Sequence, residues 1–467
     1  MLCARHRSGK AATTAFAAGV PRGQRLPAIA QTGALWRWPL TYLEWCRARH
    51  GSRFTLTVTS FPKLVFLSDP AEVKATLSAP ADALHPGEGG GRIAPIVGAG
   101  SFMLKDGEEH LRGRRAVLPA LRQRTIQRQA DRAIGSVRRA VGGWPRDVPV
   151  AMHPLLRCLT LEVILHRIFA RQELGWEERL PALRDRVLAM LTVTESLVLP
   201  VPILRHGPGG LVWERFLGRR SDADRLIYAL IEERRRGGSA DRAEDAFGGA
   251  SMPGEEDALG MLLAARNHDG APMGAVQLRD NVMSLILAGH ETTASQLAWA
   301  FQLLAHNPRV QERLIAEIDS GAGDEYLTAT IQEVLRHRPV FLFAIPRAVK
   351  RPIEIGGRAY APPAHLLACI YLLHHDPRVY PEPDVFRPER FLEGQPHPEA
   401  WLPWGGGRKR CPGSHLAMLE MKTVLRTALE SVTVSPAARR MERPRWRSVI
   451  VTPHAGSRVV LHRRVRA

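Results

Sequence analysis

The segment from Val276 to Ala305 runs about 30 residues without a proline and stops at Asn307-Pro308, where the proline ring pushes the preceding residue out of helical geometry. A helix of that span is roughly 45 Å long. Its centre, VMSLILAG at Val282–Gly289, is apolar around the whole circumference, so it belongs in the middle of a protein and not on its surface. A chain that must wrap other elements round such a rod is large and mainly helical.

The flanking sequence supports that architecture. Arg53–Ser68 is β-branched and aromatic with a Phe-Pro break and reads as two strands. Asp69-Pro70 opens a short helix, and Asp106–Leu230 is patterned as helix with breaks at Gly142-Gly143, Pro149 and Pro200–Gly210. Arg234–Glu256, rich in Gly, Ser, Asp and Arg, reads as a mobile loop. Ile353–Pro362 carries a Gly-Gly hairpin signal. The expected fold is mainly α with small β-sheets: a flexible arm over 1–30, then one domain over 31–467 with no fused reductase.

No apolar run reaches the 18 residues needed to span a bilayer. Met1–Leu26 lacks the apolar core of a signal peptide. These features and five dispersed cysteines, no two in a C-x-x-C pair, point to a cytoplasmic, monomeric protein with no membrane anchor and no structural zinc. The net charge of +19 comes chiefly from arginine, since only seven of the 65 basic residues are Lys. An Arg-rich genomic background accounts for part of it. The arginines are scattered, without an RNA-binding aromatic signature or a paired-Cys finger, so nucleic acid is not an expected partner.

Several motifs fail on a required residue. His290-Glu291-Thr292-Thr293 begins like a zinc-protease helix, but Ala294 stands where the second imidazole is needed. Gly98-Ala99-Gly100 lacks the third glycine of a dinucleotide fingerprint, and there is neither a phosphate-binding P-loop nor a G-x-S-x-G elbow.

One constellation survives. In Pro403–Gly413, PWGGGRKRCPG, a lone Cys411 follows a glycine run and three cations, surroundings that favour a thiolate and suit a metal already holding its other ligands. Four further features fall in fixed order. His110 and Arg114 share a helical face, and Glu291 and Thr292 set an acid beside a hydroxyl in the buried helix. Glu333 and Arg336 are an i,i+3 pair, and Pro388-Glu389-Arg390-Phe391 precedes the Cys loop.

Together these resemble the cytochrome P-450 superfamily of haem-thiolate monooxygenases, from about Leu35 to the C-terminus, and most of all its soluble bacterial members. The resemblance implies heme b, with Cys411 as axial iron ligand. It implies that His110, Arg114, Arg347 and Lys409 meet the propionates, and that Gly407 and Gly413 bring the loop close under the porphyrin. Trp404 and Lys409 replace the Phe and Arg of the family pattern; Trp404 would place an indole N–H near the sulfur. Glu291 and Thr292 would relay protons to bound dioxygen, with Gly289 leaving room for it at a helix distortion and Ala288 beside it at the cofactor. Glu333, Arg336 and Arg390 would hold the Cys loop.

The implied substrate is a lipophilic small molecule lying against Leu287, Ala288, Val340–Ile345 and Val449–Thr452. Electrons would come from NAD(P)H through a separate ferredoxin or flavodoxin and its reductase, with Arg408 and Arg410 on the landing surface. The alternative is a haem-thiolate enzyme that uses peroxide or catalyses coupling or isomerisation; the Glu291/Thr292 pair argues against the peroxide route.

Overall fold

A computed structural model describes residues 17–18, 20–122, 130–169, 176–193, 205, 209–244, 257–267, 269–394 and 398–464. The proline-free segment is one helix, Ala275–His306, hereafter the central helix. Its exit is set by Asn307 and by Pro308, which starts the next helix at its N-terminus, where a missing N–H costs nothing. From Leu278 to Ala305 every residue is buried except Leu287, Ala288, Gly289, Glu291 and Thr292. The rod is sealed along its length and opens at its middle.

Partners for the buried polar groups near its N-terminal half come from distant chain. Asp280 accepts the Gly100 N–H at 2.8 Å, Asn281 accepts the Phe102 N–H at 3.1 Å, and Arg279 donates to Asp224 at 2.7 Å. Further along, the Trp299 indole donates to the Val451 carbonyl at 3.2 Å. Each bond removes the cost of burying an unpaired polar group. Met152–Ile168 lies against the central helix, and a Cβ on Gly289 would stand 2.7 Å from Ile164 Cγ1.

Helices make up most of the remainder, including Gly107–Val117, Trp176–Val193, Gly210–Glu244, Glu325–His337 and Ser414–Leu429. The largest sheet has five strands, ordered Arg53–Thr57, Lys63–Leu67, His365–Ala368, Arg347–Val349, Leu84–His85. The expected hairpins are present. Arg53–Thr57 pairs antiparallel with Lys63–Leu67, and Ile353–Ile355 with Arg358–Tyr360 through Gly356 and Gly357, both at positive φ (57° and 70°). Asp69 caps Pro70–Ser78 by accepting the Ala71 and Glu72 N–H groups.

Two expectations change. Arg234–Glu256 is not a loop throughout: the helix from Gly210 continues to Glu244, because its Arg, Glu and Ala residues outweigh Gly237-Gly238; 245–256 lie outside the described residues, as do most of 200–209. Within the stretch 1–30 expected as an arm, 1–16 lie outside the described residues, but the following part is built onto the sheets. Ala17–Ala18 pairs with Arg358–Ala359, the Thr55 hydroxyl donates to the Pro21 carbonyl at 2.8 Å, and a helix begins at Ala28.

Candidate functional site

The Cys loop sits between the Pro70–Ser78 helix and Gly107–Val117. Gly405 and Gly407 both have φ of 63°, and a Cβ on Gly407 would stand 2.0 Å from the Leu77 carbonyl oxygen. The requirement for glycine at 407 is therefore met inside the protein, by Leu77. Gly413, at φ −90°, carries no such constraint; a Cβ there would lie 4.0 Å from the Cys411 sulfur. The Cys411 N–H donates to the Trp404 carbonyl at 2.8 Å, closing the loop beneath the sulfur. Trp404 thus meets the cysteine through its backbone.

Cys411 departs from expectation in one respect. Burial pushes its thiol up, and the Gly413 amide, Arg114 and Arg410, which pull it down, do not offset this. The flanking cations alone do not make a thiolate here; a bound metal cation would supply the missing stabilisation.

The four sequence-predicted cations converge beside this loop. His110 lies between the Phe102 carbonyl (2.9 Å) and the Arg408 carbonyl (3.2 Å). Arg114 donates to the Arg410 carbonyl at 2.6 Å. Lys409 Nζ donates to the Met103 and Lys105 carbonyls at 2.9 and 2.6 Å and lies 3.1 Å from His110 Nδ1. Arg347 donates to the Ile345 carbonyl at 3.1 Å and is buried. Burial brings Lys409 down to about 8, opposed by Asp106 and reinforced by Arg347 and Arg114; burial likewise brings Arg347 down to about 10, with Asp106 again opposing. Burial and Lys409 lower His110 as well. Charged groups held largely by neutral carbonyls form a site short of negative charge, and a dianionic ligand fits it. The donor set, with one sulfur on the same side, suits haem.

On the central helix, Ala288 is exposed and Thr292 sits one turn on, its hydroxyl donating to the Ala288 carbonyl at 2.7 Å. These two face the opening. Glu291 and Gly289 do not share that face. Gly289 admits Ile164, so its role is close helix packing and not room for dioxygen, and the segment remains regular α-helix with no distortion. Glu291 reaches Arg157 (2.7 Å), His290 (3.3 Å) and His153 (3.4 Å). Burial by itself would raise its pKa, but these three groups more than offset it and hold the carboxyl well below the usual range. The acid and the alcohol are adjacent in sequence and address different sides of the helix.

The Glu333 cluster forms as expected. Arg336 donates to both carboxylate oxygens at 2.7 and 2.8 Å, and Arg390 adds a contact at 3.2 Å. Its connection to the Cys loop passes through a residue that carried no signal in the sequence. Arg336 donates to the His374 carbonyl at 2.9 Å, and His374 Nε2 accepts the Leu402 N–H at 2.9 Å, just before the loop. His153, Arg157 and Glu420 were also missed; each acts through a partner more than a hundred residues away, so no local spacing marks it.

The two segments expected to line the substrate space are joined, since the Val451 N–H donates to the Val340 carbonyl at 2.8 Å. Leu342, Val451 and Thr452 are buried core, whereas Phe341 and Val449 are exposed. Phe343 packs edge-on against Phe66 and beside Trp446.

Comparison with known proteins agrees with this geometry. The family model described as Cytochrome P450 matches residues 21–459. Cytochrome P450 135B1 of Mycobacterium tuberculosis is 34% identical over 456 residues, covering 96% of this chain and 92% of that protein. Cytochrome P450 137 of the same organism is 35% identical over 411 residues, covering 88% and 83%. Among solved structures, retinoic-acid-bound cyanobacterial CYP120A1 superposes with a TM-score of 0.80 at 21% identity, covering 96% of this chain and all of that one (100%). The cytochrome P450DA heme domain gives 0.79 at 21%, covering 96% and 98%. The likeness to the solved structures concerns the fold, and the match to the family model and the mycobacterial relatives concerns descent: this chain belongs to the cytochrome P450 family of haem-thiolate oxidoreductases.

Proposed function

We propose that this protein is a cytoplasmic monooxygenase that uses dioxygen and two electrons, delivered from NAD(P)H by a separate ferredoxin or flavodoxin and its reductase, to insert one oxygen atom into a lipophilic small molecule. We propose further that one catalytic domain over 31–467, monomeric, carries the activity. The observation that supports it most is the meeting of the Cys411 loop with His110, Arg114, Arg347 and Lys409, a sulfur beside buried and half-buried basic groups that outnumber the nearby carboxylate, Asp106. Bound haem would supply the redox-active iron that activates dioxygen.

The chain's own residues do the rest. Cys411 presents its sulfur from a loop fixed by Trp404 and Leu77. Arg114, Arg347 and Lys409, with the His110 ring beside them, would hold the haem carboxylates and set its orientation. Thr292 holds a proton on Oγ1 at the one opening of the central helix, and to deliver it the hydroxyl must leave the Ala288 carbonyl. Glu291, about 100° round the helix and tied as a carboxylate to Arg157 and His153, can pass a proton on only after first accepting one. Leu287 and Ala288 give the opening an apolar edge, which fits a lipophilic substrate.

The test is the spectrum of the purified haem protein, reduced and treated with carbon monoxide. A strongly red-shifted Soret band is expected, and Cys411→His should remove it while haem is still bound. Haem-loaded protein without that band overturns the reading. Product formed with peroxide but never with dioxygen and a reductase would replace it with the peroxide alternative.

A further inference from the structure

The first two helices, Ala28–Arg37 and Pro39–His50, carry a solvent face of unusual chemistry. Leu26, Ile29, Trp38 and Trp45 are 46%, 77%, 58% and 46% exposed, although large apolar side chains are normally withdrawn from water. Between them stand exposed Arg22, Arg25, Arg37 and Arg49, and the Arg37 guanidinium lies 5.2 Å from the Trp38 ring. No acid is exposed between 20 and 51. Glu44, the one acid of that stretch, is half-buried and accepts the Tyr371 hydroxyl.

A second basic segment adjoins this face. The hairpin Pro444–Arg447/Ile450–Pro453 is fastened to the first helix by the Trp446 indole, which donates to the Leu35 carbonyl at 2.8 Å, and by the Trp36–Trp446 stack at 6.2 Å. Arg439, Arg440, Arg443 and Arg445 are exposed there. The Glu442 carboxylate is spent on the Ala455, Ser457 and Arg458 N–H groups, at 2.7, 3.2 and 2.6 Å. Arg443 lies 2.9 Å from the His454 ring, and the Trp446 contacts set this basic segment beside the first helix, whose last residue is Arg37.

We propose that this face docks the protein peripherally on a bilayer surface rich in anionic lipid. Exposed tryptophans among exposed arginines, Trp38 being in contact with Arg37, match the headgroup region, where amphipathic rings settle. Exposed Ile29 and Leu26 suit the acyl boundary, and arginines with no exposed acid between 20 and 51 suit lipid phosphates. Aliphatic side chains beside the charge distinguish the patch from a nucleic-acid surface. No helix among the described residues is long and apolar enough to cross a membrane, so the attachment is to the surface only.

The experiment is co-sedimentation of the full, haem-loaded chain with vesicles of phosphatidylcholine alone or with about one-third phosphatidylglycerol. Binding to the anionic vesicles is expected, falling steeply with salt, and little binding to the neutral ones. Arg37→Gln/Arg443→Gln/Arg445→Gln should weaken it by roughly five-fold per charge removed. Trp38→Ala/Trp45→Ala should weaken it while leaving the salt dependence in place. An unchanged Soret absorbance per protein certifies that each variant is folded. Failure to bind anionic vesicles overturns the proposal, as does binding that both variants retain. Lipid-independent dimers that Trp38→Ala/Trp45→Ala dissociates would assign the face to a second copy of the chain instead.

Discussion

His374 accepts the Leu402 N–H at 2.9 Å, and through that bond the buried Glu333–Arg336 pair reaches the Cys loop. Replacing His374 with Ala leaves the Leu402 N–H without its acceptor, at about 1–3 kcal/mol, while the Arg336 bond to the backbone carbonyl of 374 is retained. Haem retention during gel filtration should drop several-fold. His374→Gln, which restores an acceptor, should recover part of it. Normal retention in the alanine variant would show that the loop is held elsewhere.

The same histidine sets an acid limit. Burial, with Arg336 alongside, lowers its pKa to about 3, against 6.5 in the unfolded chain. Between those values the unfolded state binds the extra proton, so stability rises with pH and is lost as pH falls from about 6.5 toward 3. His337 and His375 are lowered in the same direction, mainly by burial. Urea midpoints should decline steadily below pH 6.5, with a slope of up to about 1.4 kcal/mol per pH unit per histidine. A flat profile between pH 6.5 and 4.5 contradicts this.

Glu420 works in the opposite sense. Burial raises its carboxyl to about 8, and neither Arg167 nor the Thr293 hydroxyl offsets this. The folded state holds the proton between about 4.5 and 8, so this contribution is complete at low pH and is lost as pH rises through that range. Glu420→Gln, a neutral isostere, should lose less stability than the parent as pH rises from about 5 to 8 in thermal melts. Equal slopes over that range for the two proteins count against it.

Lys409 is expected to discriminate charge from shape. Lys409→Met removes a cation from a site that already lacks anions, so the apo protein should be no less stable, by about 0–1 kcal/mol, while haem binds several-fold more weakly. Lys409→Arg should retain the haem. A methionine variant that both unfolds more easily and keeps its haem would reverse the assignment of Lys409 from ligand-holding to structural.

The central helix was legible because its evidence is local: absence of proline, an all-round apolar centre and a proline stop are properties of consecutive residues. The hairpins and the Asp69 cap were legible for the same reason. Glu333 and Arg336 could be paired from their spacing, but the path from them to the loop could not, since His374 and Leu402 meet only after the chain has folded. Glycines misled in a characteristic way. A missing Cβ says that something comes close without saying what, and the partners proved to be Ile164 for Gly289 and the Leu77 carbonyl for Gly407. The adjacency of Glu291 and Thr292 also concealed a rotation, because neighbours on a helix are about 100° apart. That rotation turns the acid toward His153 and Arg157 and leaves the hydroxyl at the opening.

The seat that Leu77 provides for Gly407 has a consequence during synthesis. The ribosome delivers the Pro70–Ser78 helix about 330 residues before the cysteine loop, so the sulfur's cradle cannot close until that whole intervening stretch has emerged. Until then the cations on Gly107–Val117 wait without the loop carbonyls that shelter them. The site is thus assembled from chain segments far apart in sequence, and it is complete only when both are in place.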